Sequence, residues 1–100
     1  MKLVYSRRSL ADLDDIANYY SVNASPALAQ SIERRLIQAI ERIRLMPESA
    51  PRVSQRSRVR ALAVVRYPFR IFYRLRDDSI DILHIRHTSR WSPRTSFSRE

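Results

Sequence analysis

The side chains with the most chemical potential in this sequence lie between residues 60 and 91: Arg60, Arg66, Arg70, Arg74, Arg86, His87, Arg90 and the single tryptophan, Trp91. Guanidinium groups are planar forks that stay charged when partly buried, so they grip phosphate or carboxylate through paired hydrogen bonds. An indole ring beside them adds a stacking surface on which a base can rest. Such a set can bind nucleic acid, and it can equally accept an acidic protein surface. The second histidine, His84, stands three residues before His87. On a strand that spacing sends the two rings to opposite faces, so they do not jointly hold a metal. A serine–histidine–acid arrangement has the residue types but no local motif.

The charge balance points the same way. Nineteen basic residues stand against ten acidic ones, a formal net charge of +9, and eighteen of the nineteen are arginine, Lys2 being the only lysine. The first fifty residues carry seven basic and six acidic side chains, the last fifty twelve and four. A GC-rich genome accounts for arginine over lysine but not for this concentration in one half, which implies an anionic partner. The chain contains no cysteine, which excludes disulfides, iron–sulfur clusters and thiolate zinc sites and fits a reducing compartment. It contains no glycine either, so glycine-rich phosphate loops of the P-loop and Rossmann types are excluded.

The elements that must position the arginines follow from periodicity. Residues 2–5 form a short apolar run suited to a strand. Ser9 and Asp12 match the S-x-x-D capping box at a helix start, and Asp14 and Asp15 add negative charge to its first turns. Leu10, Leu13, Ile16, Ala17 and Tyr20 recur at three- and four-residue spacing, so the helix is expected to end near residues 21–23 with these on its apolar face. Ser25–Pro26 reads as an N-cap followed by proline at the first helical position. Leu28, Ala29, Ile32, Leu36, Ala39, Ile40 and Ile43 then repeat to Pro47, which stops the helix. Residues 47–58, with two prolines and several arginines, form a loop.

From there the period changes to two. Val59–Tyr67 supplies a strand. Phe69, Ile71, Tyr73 and Leu75 alternate with Arg70, Phe72, Arg74 and Arg76, and Asp77–Asp78–Ser79 turns the chain. In the last strand Ile80 and Ile82 are expected on one face, Leu83 and Ile85 on the other, so that it lies centrally. The order β-α-α-β-β-β gives a two-layer α+β domain, a helical hairpin on one face of a mostly antiparallel four-stranded sheet. The start of the third strand then adjoins the end of the fourth, so Arg70 and His87 meet on the uncovered face with Trp91 beside them. Pairing of the arginines with Asp77, Asp78 or Asp81 would instead leave them as ordinary solvated strand residues.

Three segments also resemble a known family. YPFRIFYRLRDDSIDILHIRHTSR (Tyr67–Arg90) is similar to the closing strands of the ParE/RelE superfamily, toxins of bacterial type II toxin–antitoxin systems. YSRRSLADLDDIANYY resembles its opening helix and ASPALAQSIERRLIQAIERIRLMP its second, so the resemblance spans residues 3–91. It implies the same β-α-α-β-β-β fold. RelE-like members cut mRNA in the ribosomal A site. On that alternative Arg70, Arg86, His87 and Arg90 would be the catalytic set, with His87 as general acid, since there is no lysine after Lys2 and no tyrosine after Tyr73. ParE-like members poison DNA gyrase without chemistry of their own. The Tyr-Pro-x-Arg-Ile and Ile-Arg-His-x-x-Arg elements look more like that branch.

The resemblance therefore implies a gyrase-inhibiting toxin without catalytic residues or cofactor, neutralised by a ParD-like antitoxin whose acidic, initially disordered segment folds onto it. A ribosome-dependent endonuclease and a non-catalytic nucleic-acid-binding module remain as alternatives. Residues 1–91 are expected to form the toxin domain and 92–100 a flexible tail. No apolar run approaches the roughly 18–20 residues that cross a bilayer, and MKLVYSRRSL lacks a signal-peptide core, so the expected setting is cytoplasmic.

Overall fold

The computed structural model describes residues 1–88. Its elements are β1 (Lys2–Tyr5), α1 (Arg7–Asn23), α2 (Pro26–Leu45), β2 (Val59–Ala63), β3 (Phe69–Leu75) and β4 (Ser79–His87), in the β-α-α-β-β-β order expected. The sheet order is β1-β4-β3-β2, with β1 parallel to β4 and the other pairs antiparallel. The last strand is thus central.

Helix α2 forms as its sequence dictates. Ser25 caps it by accepting from the Leu28 amide at 3.0 Å, Pro26 occupies the first turn, and Ala29, Ile32, Leu36, Ile40 and Ile43 are buried along one stripe. Helix α1 begins one turn earlier than expected. Ser6, not Ser9, is its N-cap: the Ser6 hydroxyl accepts from the Ser9 amide at 3.0 Å, and the buried Ser9 hydroxyl donates back to the Ser6 carbonyl at 2.9 Å. Serine serves both positions of the cap. Asp12, freed from capping, faces inward with Ser9 and Ile16, whereas Leu10 and Ala17, expected on the apolar face, are exposed.

The core lies between the helical pair and one face of the sheet. Ile16, Ile32, Leu36, Ile40 and Ile43 pack on Phe69, Ile71, Tyr73, Ile80, Ile82 and Ile85. Each fully buried aliphatic or aromatic side chain contributes about 1.5–3 kcal/mol. A β-bulge decides which side chains of β4 join this core. Phe72 pairs with His84 but Tyr73 with Ile82, so Leu83 is left over. Ile80, Ile82 and Ile85 therefore share the covered face, all with 0% exposure, where strict alternation placed Ile85 opposite the other two.

Strand β2 is shorter than the Val59–Tyr67 run. Residues 64–68 form the connection to β3, closed by a bond from the Val64 amide to the Phe69 carbonyl at 2.9 Å, and Arg66 adopts φ 80° there. The loop after α2 is held by two side chains. The Tyr73 phenol donates to the Pro47 carbonyl at 2.6 Å, and the Arg60 guanidinium donates to the carbonyls of Glu48 and Ala50 at 3.1 and 2.6 Å.

Candidate functional site

The face of the sheet turned away from the helices is where the arginines of β3 and β4 gather. Residues directly opposite in an antiparallel pair share a face, and the register sets Arg70 against Arg86, Phe72 against His84 and Arg74 against Asp81. Arg70 and Arg86 are exposed, with no carboxylate partner among the described residues. Two like charges directly opposite destabilise a sheet, and an anionic group between Arg70 and Arg86 would relieve that repulsion. The Arg70 guanidinium lies 5.4 Å from the centre of the Phe72 ring, a cation–π contact that holds it over the face. Arg74 and Arg76 at the hairpin end both reach the Asp81 carboxylate at 3.2 Å.

His84, which sequence reasoning set aside with the metal question, belongs to this face. Its ring stacks on Phe72 with centroids 5.8 Å apart and planes inclined by 21°. Strand β1 stops at Tyr5, leaving the edge of β4 beyond Ile82 unpaired by strand, and α1 takes over. The Ser6 hydroxyl donates to the Leu83 carbonyl at 2.8 Å, and Asp12 accepts from the Ile85 amide at 2.9 Å. The same Asp12 oxygen lies 2.7 Å from His84 Nδ1. Asp12, itself only 5% exposed, accepts there, which leaves Nε2 directed at Arg8, 3.5 Å from its guanidinium. Arg70 and Arg8 thus flank a Phe72–His84 stack, and Arg86 stands opposite Arg70 on the same face. A cluster of this kind can bind an anionic group and support a flat ring, whether a base or a planar side chain.

His87 does not join it. The register opposes His87 to Phe69, on the helix-covered face, where it is 6% exposed and meets the Phe69 ring edge-on at 5.1 Å. Burial lowers its pKa below the usual value of 6.5. The expected meeting of Arg70 with His87 is therefore corrected to one of Arg70 with Arg86 and His84. The physical reason is phase: Arg70 pairs with residue 86, so its neighbour 87 must point through the sheet. Arg60 faces the loop and Arg66 lies in the connection after β2, neither on the exposed face beside Arg70. Arg90 and Trp91, and the tail from 92 to 100, lie outside the described residues.

Residues 3–91 match the model of the family described as the ParE toxin of the type II toxin–antitoxin system, parDE. The chain belongs to that toxin family. The solved structure of a chromosomal ParDE toxin–antitoxin system from P. aeruginosa is similar at 29% identity and a TM-score of 0.79, covering 89% of this chain and 97% of the other. None of the curated proteins matches. Family membership and the helical hairpin on a four-stranded, mostly antiparallel sheet agree with what the Tyr67–Arg90 segment and the two helices implied. Asp12, Phe72 and His84 were missed as neighbours of the arginine face. For Asp12 the signal was the D-L-x-x-I phase of residues 12–16, which puts it in line with Ile16.

Proposed function

We propose that this toxin arrests growth by binding DNA gyrase, without catalysing a reaction, and is held inactive by a ParD-like antitoxin with an acidic segment. Family membership supports the first part. The histidine that the resemblance to RelE-like nucleases pointed to, His87, lies across the sheet from Arg70 and Arg86, out of reach of a proton at that pair, which supports the non-catalytic part. The arginine pair, lacking internal carboxylates, suits an acidic protein surface, and an antitoxin segment rich in acidic residues would neutralise it. Gyrase works on the chromosome, so the setting is cytoplasmic; among the described residues no helix is long and apolar enough to cross a membrane.

Purified protein is expected to block supercoiling by gyrase, and full supercoiling at a large excess of toxin overturns the reading. Co-expression with the small acidic product of the neighbouring gene is expected to yield a stable complex.

One observation favours mRNA cleavage at the ribosome as a second reading. Asp12 orients His84 beside Arg8 on the same face as Arg70 and Arg86, an arrangement able to hold a phosphate next to a proton acceptor. Induction of the chain alone separates the two readings: the gyrase reading expects a DNA-damage response with intact mRNA. The ribonuclease reading expects cleavage that His84→Gln reduces by about 10²–10⁴-fold.

A further inference from the structure

The opposite end of the sheet carries a second basic feature that none of the roles above uses. Around the end of β3 two adjoining clefts of about 570 and 310 Å³ share Arg58, Leu75, Arg76 and Asp77 in their walls. Arg74 and Asp78 complete the first, Arg52 and Arg60 the second. The guanidinium groups here differ in how they are held. Arg74 and Arg76 share one carboxylate, that of Asp81. Arg60 is half-buried and fixed by two backbone carbonyls, so its position is set but its charge meets only neutral acceptors. Arg52 lies opposite Arg60 in an antiparallel bridge, which repeats the unfavourable facing of like charges seen at Arg70 and Arg86. Arg52 and Arg58 make no side-chain hydrogen bond or ion pair among the described residues.

The geometry points to this groove as a docking site for an extended acidic peptide segment of a partner protein, with carboxylates on Arg52 and Arg58 and an apolar side chain on Leu75. Two features favour a peptide over a nucleic acid. Asp77 and Asp78 line the clefts, where a uniformly charged phosphate backbone would be repelled but a peptide can place a neutral or basic residue. Leu75 gives an apolar contact in the wall that a sugar–phosphate chain does not use. The groove deepens the antitoxin pairing proposed above and rests on it for the source of the segment.

The test uses the full chain and a short fluorescent peptide of glutamates and leucines, followed by anisotropy. Arg52→Gln and Arg58→Gln, both exposed positions, are each expected to weaken binding by about tenfold, the loss of one charge-assisted pair. Arg42→Gln, at an exposed position of α2, is expected to leave it unchanged. Replacing the peptide's glutamates by glutamine is expected to abolish binding, as is high salt. The inference is overturned if Arg42→Gln weakens binding as much as Arg58→Gln, if the glutamine peptide binds equally well, or if the folded chain binds no peptide. It is also overturned if an oligothymidylate displaces the peptide at lower concentration than the unlabelled peptide does, which would make the groove a nucleic-acid site. Thermal midpoints of the variants establish that each is folded. Co-expression reads the antitoxin pairing separately, so a complex that forms without peptide binding at the groove refutes the groove alone.

Discussion

Replacing Asp12 by alanine removes the acceptor through which α1 holds the edge of β4 where β1 has ended. The carboxylate is 5% exposed and receives the Ile85 amide at 2.9 Å and His84 Nδ1 at 2.7 Å. Alanine leaves the Ile85 N–H buried without a partner, which costs about 1–3 kcal/mol, and loses the half-exposed histidine bond, about 0.5–1.5 kcal/mol. The Arg8 contact at 3.8 Å adds little, because the arginine is largely solvated. The expected loss is therefore about 2–4 kcal/mol. A domain of this size loses roughly 4–8 °C of Tm per kcal/mol, so the midpoint should fall by roughly 8–32 °C. Asparagine keeps an oxygen for the Ile85 amide, and Asp12→Asn should cost only about 1 kcal/mol. Asp14→Ala, one turn position away and exposed, should stay within about 0.5 kcal/mol of the parent. Urea and thermal unfolding followed by circular dichroism measure all three. If Asp12→Ala matches Asp14→Ala, the carboxylate does not fasten the strand edge and the orientation of His84 loses its basis.

Arg70→Glu converts a facing like-charge pair with Arg86 into an opposite-charge pair. It should raise stability by about 0.2–1 kcal/mol in urea unfolding while lowering gyrase inhibition at least about tenfold; unchanged inhibition removes Arg70 from the interface. Tyr73→Phe deletes the bond to the Pro47 carbonyl and should cost about 1 kcal/mol, read from the denaturation midpoint. Arg66, at φ 80°, holds a left-handed conformation that a Cβ disfavours, so Arg66→Gly should stabilise by about 0.5–1 kcal/mol in the same assay. His87 is buried and its pKa is lowered below 6.5, so the unfolded chain takes up the proton first as pH falls. Stability from this group is complete above about pH 6.5 and is lost progressively below it. His87→Phe should flatten that part of an acid-unfolding profile, and an unaltered slope would place its cause elsewhere.

The periodicities alone determined the element order, the spans of α2 and β3 and the side of the sheet that the helices cover. These are local consequences of 3.6- and 2-residue repeats acting on apolar side chains, and they need no knowledge of distant contacts. Strand β4 is central as expected, but not for the reason expected, since Ile85 shares the face of Ile80 and Ile82. The concentration of arginine after residue 50 was likewise visible, as was the family pattern of Tyr67–Arg90.

What could not be read was the phase of side chains across a contact. The bulge at Leu83 adds one residue to β4, which brings Ile85 and His87 to the covered face and turns His84 toward Phe72. No local propensity announces it, because a bulge is a property of the pairing of β4 with β3 and not of either strand alone. Asp12 looks like a capping residue in sequence, since S-x-x-D occurs there. Ser6 performs the capping because the helix follows β1 without a loop, and Asp12 is then carried to the strand edge. Which arginines face one another, and which histidine stands beside them, was decided by strand register and by the docking of α1 on β4. The docking of α1 depends on contacts between residues more than seventy positions apart.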